Sequence, residues 1–294
     1  MDTEDRLEPY CDADTWPAEE SLAAMLDSQM AAFAAVRNAL PALARAAAAA
    51  ADRLARAGRL VYAGAGASGR LAVQDGVELH PTFGWPRERL HYLIAGGERA
   101  LVESIEGAED DAAAALAAVE RLNVEGTDVI VAVAASGRTT FTCAVQRGAR
   151  AVGALTIGLA NNPGAPLLVE AEIPVLLATG PEFLAGSTRM AAGTAQKIAL
   201  NLLSTQTMMA LGRVYQGFMV DVVPTTAKLV ARSKGIVQAL TACGPDEAAA
   251  LWDRAGGDLK LAVLLGDGLG LDEAKARLAS AGGNLRRARR QDGR

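Results

Sequence analysis

Five short, largely apolar runs constrain this chain most: Leu60–Ala63, Leu90–Ile94, Val129–Val133, Ala151–Ile157 and Ile173–Leu177. A strand with one wet face alternates polar and apolar residues. These runs are close to continuous, as in strands covered on both faces. Segments with helical spacing separate them, at Leu71–Leu79, Ala100–Leu122 and Thr140–Gly148. Buried strands joined by helices predict an α/β fold: a parallel five-stranded sheet in a three-layer sandwich. Ligands of such sheets bind at the carboxyl ends of the strands, near a switch in strand order.

The flanks are helical. Residues 1–18 are polar and read as an arm that either docks on the body or stays mobile. From Glu19 to about Arg56 the sequence favours helix, with Leu22, Met25, Leu26, Met30 and Phe33 at helical spacing. Pro41 is expected to start a second helix or kink the first. Apolar stripes on two long N-terminal helices suit subunit packing as well as internal packing. A long helix is expected from Gly186 to about Leu211, capped by Ser187 or Thr188, with its N-terminus a third possible donor site. Another is expected near Thr226–Leu240. The last fifty residues hold a repeat: Asp246-Glu-Ala-Ala-Ala-Leu-Trp-Asp-Arg-Ala-Gly-Gly-Asp258 recurs as Asp272-Glu-Ala-Lys-Ala-Arg-Leu-Ala-Ser-Ala-Gly-Gly-Asn284. In each copy a helix should stop at Gly-Gly and the next begin at Asp or Asn. The expected division is an arm over 1–18, a body over 19–243 and a small helical, UBA-like domain over 244–294.

Composition narrows the function classes. A net charge of −5 over 294 residues argues against non-specific nucleic-acid binding. Cys11, Cys143 and Cys243 lack metal-ligand spacing and read as thiols of a reducing cytoplasm. With His80 and His91 the only histidines, no metal site and no cofactor is expected. His91 reads as structural, while His80 either tunes Glu78 or packs. No apolar run is long enough for a membrane span, and no leader pattern opens the chain. The Arg286–Arg290 cluster reads as a solvated tail in preference to an anion patch.

Chemistry concentrates in two turns. After the first strand come Gly64, Gly66, Ser68, Gly69 and Arg70; after the third come Ser136, Gly137, Arg138, Thr139 and Thr140. Gly64-x-Gly66-x-x-Gly69 also fits a dinucleotide fingerprint, but Ala95-Gly96-Gly97 stands where a ribose-binding acid belongs. Either turn alone is explained by a tight bend with a helix cap. The pair suits a phosphomonoester, whose three free oxygens take backbone N–H and hydroxyl donors. Arg70 is expected to add charge there. Glu78 and the acidic stretch Glu106-Gly-Ala-Glu109-Asp110-Asp111 supply carboxylates. They read either as solvated helix ends or as an acid–base pair able to take a proton next to a carbonyl.

At these residues the chain resembles the N-acetylmuramic acid 6-phosphate etherases, sugar isomerase (SIS) domain proteins with the glucokinase regulatory protein as a distant relative. The resemblance covers about residues 22–288. It rests on Gly64-Ala-Gly-Ala-Ser-Gly-Arg-Leu71, Glu78-Leu-His-Pro-Thr-Phe-Gly84, Ile94-Ala-Gly-Gly97, Glu106-Gly-Ala-Glu-Asp110, Ala134-Ala-Ser-Gly-Arg-Thr139, Asn162-Pro163, Gly180-Pro-Glu182, Gly186-Ser-Thr-Arg189, Gly193-Thr-Ala-Gln-Lys197 and Met219-Val-Asp-Val222. It implies a SIS fold, a metal-free carbon–oxygen lyase of amino-sugar recycling, a cytoplasmic homodimer and a site near the subunit interface. The substrate implied is a sugar phosphate whose D-lactyl ether is cleaved. The family's proton donor matches Glu78 and its second glutamate Glu109. Ser68, Gly69, Ser136, Gly137, Thr139 and Ser187 are the implied phosphate and substrate contacts. Ala67, Val77, Ala191 and Thr226 depart from the residues usual at those positions. The alternatives are a non-catalytic sugar-phosphate sensor, which has no need of two glutamates, and a sugar-phosphate isomerase.

Overall fold

The structure is a computed structural model, and it describes residues 3–290. Contacts divide the chain into two compact units, one of residues 1–76 and 88–206, the other of residues 77–87 and 207–294.

The first unit is built on a parallel sheet of β1 (Leu60–Gly64), β2 (Leu90–Ile94), β3 (Val129–Val133), β4 (Leu155–Ala160) and β5 (Ile173–Leu176). Strand order is β2-β1-β3-β4-β5, with the switch between β1 and β3. The predicted parallel sheet and its covered faces are therefore present. β1, β3 and β4 are buried along their whole length, which is why their sequences do not alternate. The fourth strand starts four residues later than expected. α6 (Thr140–Ala151) keeps Ala151, and the chain turns through Gly153 at φ 85 before entering β4.

The N-terminal helices are α1 (Ala18–Ser28) and α2 (Met30–Ala55). The break falls at Gln29, and α2 runs through Pro41. Alanine makes α2 a close-packing helix: Ala32, Ala35, Ala39, Ala46, Ala47 and Ala50 are buried. Leu22, Leu26, Met30 and Phe33 are exposed. The arm docks: Thr3 N donates to Asn162 Oδ1, Asn162 Nδ2 donates to Thr3 Oγ1, both at 3.0 Å, and Tyr10 packs on Phe183.

After β1 come α3 (Gly66–Val77) and α4 (Leu79–Phe83), where one helix over Leu71–Leu79 was expected. The segment expected as one helix over Ala100–Leu122 is helical only in α5 (Ala112–Arg121). Before it the chain makes 3-10 turns at Glu98–Leu101 and Ala108–Asp110, because glycines at 96, 97 and 107 take left-handed φ. α5, α6 and α7 (Pro166–Val169) pack with Val61, Ala63, Ile130 and Ala132 in one core layer. α8 (Ala191–Ala210) follows β5.

The second unit holds a hairpin of β6 (Val214–Tyr215) and β7 (Phe218–Met219), then α9 (Ala227–Thr241), α10 (Pro245–Arg254), α11 (Leu259–Gly266), α12 (Leu271–Ser280) and α13 (Leu285–Arg290). The repeat folds as its punctuation predicts. Gly256 and Gly257, then Gly282 and Gly283, are left-handed after α10 and α12. Asp258 accepts from Leu261 N at 2.9 Å and Asn284 from Arg287 N at 3.1 Å. Val237, Ala262, Val263, Leu264 and Leu285 centre the core of this unit.

Candidate functional site

β1 pairs with β3 so that Gly64 lies opposite Val133. The two turns found in the sequence therefore lie side by side at the carboxyl edge, at the switch in strand order. The first turn needs two glycines. A Cβ on Gly64 would stand 2.9 Å from Gly69 Cα, and one on Gly69 would stand 3.1 Å from the Gly64 carbonyl. Only that close approach lets α3 leave the strand at once. Gly69 N makes the first helical bond, to Ala65 O at 3.0 Å, so the amides of Gly66, Ala67 and Ser68 are left as first-turn donors. Ser68 is buried in this turn.

The second turn is alike. Gly137 takes φ 65, and a Cβ there would meet Ala165 Cβ at 2.5 Å. Ser136 Oγ accepts from Arg138 N at 3.1 Å. Thr139 is the N-cap of α6, but its side chain makes no capping bond. The N-termini of α3 and α6, with their positive dipole ends, thus follow neighbouring strands at the carboxyl edge, where an anion is favoured.

A cavity of about 190 Å³ opens beside the first turn, lined by Ala65, Gly66, Arg70, Ile105, Glu106 and Glu109. Glu109 sits on the 3-10 turn after Gly107 and is exposed to solvent. The acidic stretch divides by role. Asp111 caps α5, accepting from Ala114 N at 2.8 Å, while Glu106 and Glu109 face the cavity. Arg70 does something other than add free charge to the turn. Its Nε donates to Ala100 O at 3.0 Å and its Nη2 to Glu103 O at 2.9 Å. It clamps the segment leading to Glu109 onto α3.

Glu78 belongs to the second unit by its contacts and is exposed. Its side chain caps no helix end. The residues after it are firmly held: Arg213 Nη1 donates to Phe83 O at 2.6 Å, Val223 N to Pro81 O at 3.3 Å, and Arg213 lies over the buried Trp85 ring at 5.2 Å. His80 Nδ1 is 2.9 Å from Trp85 O. His91 Nε2 is 3.1 Å from Glu88 O within its strand segment. Among the described residues, no three His, Cys, Asp or Glu side chains group as a metal site would need. No helix among them is long and apolar enough to cross a membrane.

Asp75 and Glu182 are buried carboxylates whose partners only the fold reveals. Asp75 accepts from Tyr62 Oη and Asn201 Nδ2, both at 2.6 Å, and from Ser204 Oγ at 3.0 Å. This ties α3 to β1 and α8. Burial, then the nearby Asp75 charge, raises the Tyr62 pKa and keeps its hydroxyl a donor. Glu182 is fully buried and accepts from Ala191 N and Ala192 N, both at 2.9 Å. Burial pushes its carboxyl above the ordinary 4.5, and the two N–H bonds offset part of that. The N-terminus of α8 is thereby occupied by the chain's own carboxylate, which removes it as a third donor site. Ser187 lies half-buried in the loop before α8, with its N–H donated to Leu184 O at 2.9 Å. For Asp75, the only signal in the sequence was an acid on the apolar face of a helix.

Comparison with known proteins now has a geometry to meet. Residues 42–147 match the family model described as the glucokinase regulatory protein N-terminal SIS domain. The chain is 53% identical over 278 residues to the N-acetylmuramic acid 6-phosphate etherase of Deinococcus radiodurans, covering 94% of this chain and 91% of that one. It is 42% identical to the N-acetylmuramic acid 6-phosphate etherase of Shouchella clausii, covering 98% and 97%. Among solved structures, a putative phosphosugar isomerase from Bacteroides fragilis aligns with a TM-score of 0.51 at 20% identity, covering 68% of this chain and 95% of that one. That last likeness shows the fold.

Proposed function

The chain belongs to the N-acetylmuramic acid 6-phosphate etherase family, and on that premise we propose that it cleaves the D-lactyl ether of N-acetylmuramic acid 6-phosphate as a carbon–oxygen lyase. The products are N-acetylglucosamine 6-phosphate and D-lactate, in a cytoplasmic step of peptidoglycan recycling. One observation carries the reading: the open first turn of α3 and the Glu109 carboxylate line the same cavity. An anion seat with a carboxylate beside it is what a phosphorylated sugar needs if it is to lose a proton. A sensor of sugar phosphates would need the seat alone.

The phosphate is held by the first-turn amides of α3 and α6 with the hydroxyls of Ser68, Ser136 and Thr139; Gly69 and Gly137 let the backbone close on it, and Ser187 contributes from the loop before α8. In the open-chain sugar the aldehyde acidifies the C2 proton. Glu109 takes that proton as base, the electron pair forms the C2–C3 double bond, and the C3–O bond breaks. Glu78 gives the departing lactate oxygen its proton. Water then adds, hydroxyl to C3 and hydrogen to C2. Release of D-lactate from N-acetylmuramic acid 6-phosphate by the purified protein tests the reaction. Glu109→Gln should abolish exchange of the C2 proton with solvent while leaving phosphate binding intact; normal exchange in that variant removes Glu109 from the base role.

The same reading calls for a second copy of the chain. α3 has 12 residues, so its two ends lie about 18 Å apart. The phosphate seat is at its first turn and Glu78 follows its last, a span no hexose phosphate bridges from phosphorus to the ether oxygen on C3. Glu78 therefore serves the site of a partner subunit in a homodimer, and the exposed stripe of Leu22, Leu26, Met30 and Phe33 offers an apolar surface for pairing. Mixing inactive Glu78→Ala and Glu109→Gln proteins should restore about a quarter of wild-type activity, through mixed dimers with one intact site. No recovery after subunit exchange would return Glu78 to its own chain.

A further inference from the structure

The second unit contains a cleft that the proposed reaction leaves unused. Its volume is about 510 Å³, and its walls carry Arg286, Arg289, Arg290, Asp267, Tyr215 and Gln216. The three guanidinium groups have different duties. Arg289 donates to Asp267 Oδ1 at 2.6 Å and to Leu240 O at 3.3 Å, so its charge is matched and it holds the wall together. Arg286 lies over the Tyr215 ring at 4.9 Å, which fixes its plane through the ring face, and among the described residues its N–H edge has no hydrogen-bond partner. Among the described residues no carboxylate forms a salt bridge with Arg286 or Arg290. These two stand one helical turn apart on α13, on the same side. Among the described residues lining the cleft, three arginines stand against one aspartate, within a chain whose net charge is −5.

A second feature is local. Gln216 takes φ 47 in the β6–β7 turn, ahead of Gly217 at φ 80. Such a turn favours Asn, Asp or Gly at its first central position. A glutamine held left-handed is strained, and here its Nε2 donates to Tyr215 Oη at 3.3 Å, on the cleft wall. Packing of the unit requires Arg289; it gives no role to the free edge of Arg286, to Arg290 or to the strained Gln216.

We propose that this cleft binds a phosphomonoester, separate from the phosphate seat at α3. A phosphomonoester is close to a dianion at neutral pH and offers three acceptor oxygens, matching two unpaired guanidinium forks. The volume is in the range of small-ligand sites.

The test uses the whole protein with inorganic phosphate and with glucose 6-phosphate in separate calorimetric titrations. Wild type should show two sites per chain, and the Arg286→Gln/Arg290→Gln double variant should lose one of them, weakened at least about tenfold by the missing charge-assisted bonds. Equal affinity for both compounds identifies free phosphate as sufficient; tighter glucose 6-phosphate identifies an ester. Hydrogen exchange gives an independent reading: either ligand should slow the amides of residues 214–219 and 285–290. Sites unchanged in number and affinity in the variant, with no protection of those amides, would overturn the proposal, whether wild type shows one site or two. None of these readouts involves lactate release, so failure of the etherase reading and failure of this one are told apart.

Discussion

The N-termini of α3 and α8 invite comparison. Each helix starts at a stretch rich in glycine and hydroxyls: Gly64-Ala-Gly-Ala-Ser-Gly runs into α3, and Gly186-Ser-Thr precedes α8. At α3 the first amides face a cavity. At α8 Ala191 N and Ala192 N are taken by the buried carboxylate of Glu182. A helix start binds an external anion only when the fold has not already supplied one. The same physics, a dipole end and spare N–H groups, makes a ligand seat in one place and a structural joint in the other.

Closing the open end should have the largest effect. Gly64→Ala would press a methyl to within 2.9 Å of Gly69 Cα, and we expect at least a hundredfold loss of lactate release, about 2.7 kcal/mol or more, from displaced donors. Near-normal kcat/KM would mean that the seat is elsewhere.

Opening the closed end comes next. Glu182→Ala strands two buried N–H groups, and thermal or urea unfolding should show a loss of about 2–4 kcal/mol. An unchanged midpoint would show that water replaces the cap. Ser68→Ala and Thr139→Val each remove one proposed hydroxyl donor and should raise KM roughly five- to tenfold with kcat little changed. If kcat falls instead, those residues meet the reacting atoms and not the phosphate.

The smallest effect is a pH dependence. Burial raises the Glu182 pKa, so between its unfolded and folded pKa values the native protein binds more proton than the unfolded chain. Stability should therefore fall as pH rises through that window and grow as pH drops through it. Glu182→Gln should flatten this slope. A slope unaltered in that variant would assign it to another group.

Much of this arrangement was legible beforehand. β2 and β3 fell where their apolar runs placed them, and the paired glycine turns marked the carboxyl edge. The repeat at residues 246–288 announced its own helix ends, since a left-handed glycine and an Asp or Asn cap act within a few residues of themselves. The helix expected over Ala100–Leu122 is confined to α5, because the left-handed glycines route the chain past the cavity before that helix begins.

Sequence alone determined what depends on near neighbours in the chain: the buried strands, the turn glycines, the caps and the family motifs. Tertiary structure decided what depends on distant partners. Arg70 was expected to add charge at the first turn, and its Nε and Nη2 donate to Ala100 O and Glu103 O. Asp75 acquired meaning only when Tyr62, Asn201 and Ser204 converged on it. A charged side chain is long and its partners lie tens of residues away. Its role is set by which polar group the packing brings within hydrogen-bond reach, and short-range spacing carries no record of that.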